Sequence, residues 1–298
     1  INGALAGASV DDNLTINSAG TTTINAAITG IGTFITNTGG TTVLDNNISS
    51  DGLQTYGNAV QLKTGAVTLT TTNDAVTFSG TLNSAAGEIQ GLTVAAGNGL
   101  TTFTGIVGAD DRIGAIVVSG AGGLAISANV NALSMAVTGE TTVADGVTIT
   151  TTGTASSQTY SDAFNLATDA DVVVDSGGDD TTDDITFEAI AGVNGGAAEN
   201  LTLDAGAEGK IRVTSTITDI TNLTIRDAGE VEFEGAVTVL GNLIITDTKD
   251  AGDVDFQGNL VAGDLITTAQ AYDVILKGAV NQITANVEFL NTGTLTIN

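Results

Sequence analysis

The sequence predicts an all-β chain wound as a parallel β-helix, a β-solenoid of short stacked strands with about 20–25 residues per rung. Three observations lead there: an apolar phrase of period 2 that returns every 20 or so residues, a chain without proline, and a low content of large aromatics.

The phrase reads apolar, any, apolar, any, small, any, apolar. It is present as Val76-Thr77-Phe78-Ser79-Gly80-Thr81-Leu82 and Leu124-Ala125-Ile126-Ser127-Ala128-Asn129-Val130. Four later copies are centred on Val213, Phe233, Phe256 and Leu276, at spacings of 20, 23 and 20 residues. Phe78, Phe103 and Ile126 are spaced by 25 and 23. Alternation over four to seven residues makes a half-buried strand. Gly, Asn, Asp and Ser punctuate the gaps as turn residues. A second phrase falls between the first: Asn200-Leu201-Thr202-Leu203, Asn222-Leu223-Thr224-Ile225 and Asn242-Leu243-Ile244-Ile245. Stacked rungs would place Val213, Phe233, Phe256 and Leu276 in one inward column, each rung about 4.8 Å from the next. The Gly that follows the strand is expected to turn the corner through its tolerance of positive φ.

Composition agrees. Average usage would give about fifteen prolines in this length, and the chain has none. Pro is confined to sheet edges, so its exclusion points to strands paired on both sides. With 4% aromatics, the apolar content is mostly Ala, Val, Ile and Leu, which suits a narrow core. A mean hydropathy of +0.27 excludes a disordered chain. An array of β-sandwiches also fits regularly spaced strands, but needs no 20-residue echo.

A longer repeat of about 105 residues overlies the short one. Its marks lie near 41–56 and 141–160, with Gln54-Thr55-Tyr56 echoed by Gln158-Thr159-Tyr160 at an offset of 104. Leu14-Thr15-Ile16 and Ile116-Val117-Val118 form another echo at 102. The expectation is one continuous solenoid over 1–298 with uncapped ends, where Ile1, Leu295 and Ile297 contact further coils end to end. Right-handed winding is the expectation from crossover chirality. Ile1 shows neither an initiator Met nor a signal peptide, so the chain reads as a processed product or a slice of something longer.

Charge excludes several function classes. Seven Lys and Arg stand against 34 Asp and Glu, a net charge of −27. Such a field repels nucleic acid and anionic lipid, and no apolar run of about 18 residues could span a bilayer. Without Cys or His there are no disulfides, zinc thiolate sites, imidazole metal sites or imidazole-based triads.

Carboxylate chemistry is what remains. Asp175, Asp179, Asp180, Asp183 and Asp184, with Asp169 and Asp171, crowd a Gly-containing segment. They are the candidate ligands for calcium, a hard cation that takes six to eight oxygens. Asp253, Asp255, Glu232 and Glu234 point outward from two phrases and could pair for glycoside hydrolysis; a solvated acidic face is the plainer expectation. Runs such as Thr68, Thr70 and Thr71 or Thr148, Thr150 and Thr151 raise ice binding, against which stand ordinary cross-strand Thr ladders. Asn13, Asn200 and Asn222 match glycosylation sequons, yet each also ends a turn just before a strand.

The phrases from Asn222-Leu223-Thr224-Ile225 to Asn242-Leu243, together with Gln158-Thr159-Tyr160 before a Val-rich strand, resemble the tandem repeats of giant bacterial exported β-strand-repeat proteins. Those overlap the filamentous-haemagglutinin and autotransporter-passenger style of adhesin. The resemblance implies a parallel β-helix at the bacterial cell surface, non-enzymatic, structural or adhesive. It adds partners of the same kind, self-associating coils or filaments, and cell-surface glycans as targets. A calcium-dependent carbohydrate- or surface-binding module is the alternative expectation, and a polysaccharide-acting enzyme the third.

Overall fold

The computed structural model describes residues 1–298 apart from Val10, Gly178, Asp179 and 194–197. Among the described residues there is no helix, and every named strand pairing is parallel. The chain is a parallel β-solenoid that packs as two compact units, Ile1–Thr141 and Thr142–Asn298.

In the first unit each coil lays down strands on three faces. One face stacks Ile28–Ile31, Ile48–Ser50, Val67–Thr70, Leu92–Ala95 and Ile113–Ser119. The second stacks Leu14–Ile16, Phe34–Thr36, Gln54–Tyr56, Val76–Phe78, Thr101–Phe103 and Leu124–Ile126. A third holds Thr21–Ile24, Thr41–Leu44, Ala59–Leu62 and Leu82–Ser84. The register has a plain cause. Residues of period 2 bury one side only, and a slip of one residue would turn each apolar set outward. Phe78, Phe103 and Ile126 therefore lie over one another as expected. The echo of Leu14–Ile16 in Ile116–Val118 does not survive: the two segments lie on different faces, because similar apolar triplets fit either one.

The second unit repeats the plan with longer strands. Gln158–Leu166, Val237–Ile245 and Leu260–Thr267 each bend across two faces at an irregularity, as between Tyr160 and Ala163. The column Val213, Phe233, Phe256, Leu276 is in register and buried, extending back to Phe187 and Tyr160. Aromatic rings stack down the narrow interior at centroid separations of 4.8 Å for Tyr56–Phe78 and 5.0 Å for both Tyr160–Phe187 and Phe233–Phe256. Each such pair adds roughly 0.5–1.5 kcal/mol to the burial itself.

The glycines after the strands serve a different purpose from the expected one. Gly235, Gly258 and Gly278 are not among the residues of positive φ. They sit where consecutive coils approach backbone to backbone: a Cβ at Gly258 would come 2.2 Å from the Gly235 carbonyl oxygen. The Gly258→Ala variant is expected to lose about 1–3 kcal/mol, the range for overpacking a close-packed site. A denaturant midpoint equal to the parent's would contradict that reading.

Candidate functional site

The acidic strip takes shape where the strands Lys210–Val213, Glu230–Phe233, Asp253–Phe256 and Asp273–Leu276 lie side by side. The second and fourth residues of each strand face inward, so Arg212, Glu232, Asp255 and Ile275 share one outward row. Glu232 and Asp255 are neighbours, as the sequence predicts, but cations from adjacent coils answer them. Lys210 Nζ reaches Glu232 at 2.7 Å and Glu230 at 3.1 Å, and Arg212 pairs with Glu234 and Glu232. Lys277 Nζ lies 2.6 Å from Asp255, and Gln257 Nε2 donates to Glu232 at 2.7 Å.

The Lys210 hydrogen bond holds the Glu232 carboxyl below the usual range despite its partial burial. A proton-donating carboxyl in glycoside hydrolysis needs the reverse shift. Lys210 is itself raised, because Glu232 and Glu230 outweigh the desolvation that works against its charge. A shallow groove of about 340 Å³ beside the strip is lined by Asp184, Glu208, Lys210, Glu230 and Lys249, with no aromatic side chain. Apart from Phe289, the aromatic rings are buried inside the coils.

The Asp-rich segment is organised around backbone donors. Asp183 is fully buried; its Oδ1 accepts the Ser156 N–H at 2.7 Å and its Oδ2 the Asp180 N–H at 3.0 Å. Asp175 Oδ1 accepts from the Gly177 N–H and Asp184 Oδ1 from the Lys210 N–H. Asp180 Oδ1 accepts both the N–H and the hydroxyl of Thr182. Asp179 lies outside the described residues. Among the described residues, no three carboxylates converge closely enough to hold a metal ion.

Asp175 instead lies in register with Asp204, which precedes Asp227 in the same row, and Arg226 reaches Asp204 at 3.2 Å. Burial, and then the charge of Asp204, raise the Asp175 carboxyl above its usual value. A raised folded-state value favours the protonated form, so this contribution is present at low pH and lost as pH rises through the folded value. Asp175→Asn should therefore be more stable than the parent above that window and converge with it in acid. Melting curves across pH 3–8 that stay parallel would contradict this.

Two features that carry much of the architecture escaped the reading of the sequence. The first is a buried amide clamp, built on Gln54 in the first unit and on Gln158 in the second. Gln54 Nε2 donates to the carbonyl of Thr70 at 2.9 Å, to that of Ile48 at 3.2 Å and to Ser50 Oγ at 3.2 Å, while Tyr56 OH donates to Gln54 Oε1 at 2.9 Å. Gln158 repeats this with Asp175 at 2.8 Å, Ile149 at 3.4 Å and Thr151 Oγ1 at 3.2 Å, and Tyr160 OH donates to it at 2.8 Å. Burial pushes both tyrosine hydroxyls up, so they remain donors.

The second is an amide ladder. Asn222 Nδ2 donates to Asn200 Oδ1 at 2.6 Å, and Asn222 Oδ1 accepts the Asn242 N–H at 2.8 Å. The ladder continues from Asn200 Nδ2 to Asp171, and Asp264 accepts the Asn286 N–H at 2.8 Å. The sequon-like Asn residues thus join coil to coil; Asn13 Oδ1 likewise accepts the Thr33 hydroxyl at 2.8 Å. Of the Thr runs, Thr68 lies in a cross-strand pair with Thr93 while Thr70 faces Ala95, and Thr148 and Thr150 lie opposite Val173 and Asp175; a longer ladder, Thr55–Thr77–Thr102, forms on a neighbouring face of the first unit.

Leu295 and Ile297 continue the columns of Val274 and Leu276 yet are 40% and 63% exposed, against 4% for Leu276. Ile1 is 38% exposed, with its ammonium donating to the Thr23 carbonyl at 2.6 Å. No helix of the described residues is long and apolar enough to cross a membrane. No family, curated protein or solved structure matches the chain.

Proposed function

We propose that the chain is a non-enzymatic structural module of an exported bacterial surface or filament protein, with an adhesive role and an extracellular location, and that it associates by stacking coil on coil. One observation carries this: inward apolar columns in register, such as Val213, Phe233, Phe256 and Leu276, join each coil to the next, and Leu295 and Ile297 continue the same pattern. Unpaired strand edges and exposed column residues are a template for another strand. The protein already contains the matching solution. Leu14-Thr15-Ile16-Asn17 has the same sequence as Leu295-Thr296-Ile297-Asn298, and in the first unit it is covered by the coil bearing Phe34-Ile35-Thr36. A further coil of the same kind therefore fits over Leu295–Ile297, supplied by another copy or by further repeats.

The acidic surface supports the reading from another side, since strong like charge keeps long assemblies soluble. Carboxylates tied to backbone donors or to Lys and Arg serve architecture before chemistry. Electron microscopy and light scattering of the purified protein test the proposal: it should form end-on chains. Leu295→Lys/Ile297→Lys should shorten them to single particles with unchanged circular dichroism. A parent that stays dispersed at high concentration would sink the end-on contact.

A further inference from the structure

We propose that the uncharged outer face of the first unit is a lateral docking surface for a second copy of that unit. Charge is divided unevenly along the chain. Residues 1–141 carry two cations and nine acids, residues 142–298 five and twenty-five. Among the described residues of the first unit, no charged side chain lies in a strand; Asp45, Asp51, Asp74 and Lys63, for example, all sit between strands. In the second unit the strands themselves carry Lys210, Arg212, Glu230, Glu232, Asp253 and Asp255. For a chain of net charge −27, the strand faces of the first unit are where two copies meet without direct like-charge opposition.

One face offers more than neutrality. Its central outward row is Thr15, Ile35, Thr55, Thr77, Thr102 and Ala125, in register through six strands. Beside it runs a second row in which Leu53, Ala75 and Leu100 follow one another, linked by the hydrogen bonds from Gln54 N–H to Ala75 and from Val76 N–H to Leu100. Leu53 and Leu100 are 37% and 43% exposed, so docking here would bury apolar surface. The choice of a second copy follows from the spacing. The Thr row repeats at the coil pitch of about 4.8 Å, and a partner meets it at each step only if it has the same pitch, as a second solenoid does. A two-fold contact of this kind uses the same patch on both copies. Hydroxyls facing hydroxyls can donate and accept in turn. Six strands, five intervals, span about 24 Å, at the small end for a specific interface, so the pairing should be weak between lone copies and strengthen when many are arrayed in line.

The proposal does not rest on end-on stacking, and the experiment separates the two. Sedimentation velocity is run on the full chain bearing Leu295→Lys/Ile297→Lys, over a concentration series in low and high salt. Reversible dimers are expected, tighter in high salt, because screening relieves the net charge and no ion pair is lost. Adding Thr55→Lys/Thr77→Lys/Thr102→Lys should weaken dimerisation at least tenfold, whereas Thr159→Lys/Thr186→Lys on the second unit should leave it unchanged. If the triple variant loses its far-ultraviolet spectrum, Leu53→Ser/Leu100→Ser reads the same face without added charge and should also weaken pairing. A monomer at all concentrations in high salt, or face variants that dimerise like their background, would overturn the proposal.

Discussion

Replacing Gln158 with leucine is expected to destabilise the second unit by about 3 kcal/mol, although leucine is apolar and of similar size. The side chain is fully buried and ties two coils together: its amide nitrogen donates to Ile149 and Thr151 of one coil and to the Asp175 carbonyl of the next. Its oxygen accepts the hydroxyl of buried Tyr160. Leucine removes these partners at once: the Tyr160 hydroxyl loses the oxygen it donates to and the Asp175 carbonyl loses the amide that reaches it, each loss at roughly 1–3 kcal/mol. The control is Tyr160→Phe. Alone it removes the hydroxyl that donates to Gln158 Oε1 and costs less; combined with Gln158→Leu it removes both ends of that one bond, so the double variant should be milder than the sum of the singles. Equilibrium unfolding in guanidinium gives the energies, and hydrogen exchange at Ser156–Tyr160 locates the loss. A Gln158→Leu variant within about 0.5 kcal/mol of the parent, the range of an ordinary surface change, would show that the clamp stabilises nothing.

The sequence made the columns legible because period-2 alternation and a 20–23 residue return both belong to the chain itself. Val213, Phe233, Phe256 and Leu276 needed nothing beyond counting. It also marked Gln54-Thr55-Tyr56 and Gln158-Thr159-Tyr160 as a repeated string, but not why they repeat. A polar residue at an inward position has meaning only once the carbonyls of Thr70 and Asp175 are known to end at the same corner, and those come from the following coil. The Asn ladder was hidden in the same way: Asn200, Asn222 and Asn242 each look like a turn residue, and only the register brings one amide against the next.

The acidic residues show the limit most clearly. That Glu232 and Asp255 share an outward strip follows from the phrase, and they are neighbours. Their neutralisation by Lys210, Arg212 and Lys277 depends on side chains 20 to 22 residues away in sequence that the coil brings alongside. The corner glycines were misread for a related reason. Positive φ is a local property that a turn-like string calls to mind, whereas the need at Gly258 is the carbonyl of Gly235 one coil away. The apolar column through successive coils was readable; the polar and backbone contacts that one coil makes with the next were not.

Phe233→Ala should have the largest effect of any single truncation in the second unit's core, about 3–5 kcal/mol. The ring is fully buried between Val213 and Phe256 in the inward column and stacks on Phe256 at 5.0 Å. In a globular core, neighbours on several sides relax into such a cavity. Here the layers above and below are held by their own ladders at a fixed pitch, so collapse is restricted and most of the cavity cost remains. Because each coil of a solenoid touches mainly its immediate neighbours, the damage should also be local. Hydrogen exchange should rise first in Lys210–Val213, Glu230–Phe233 and Asp253–Phe256, with more distant coils protected until higher denaturant. Phe233→Leu, which keeps much of the volume, should cost less than half as much. Uniform loss of protection along the chain, or equal costs for the alanine and leucine variants, would mean that the column is not what joins one layer to the next.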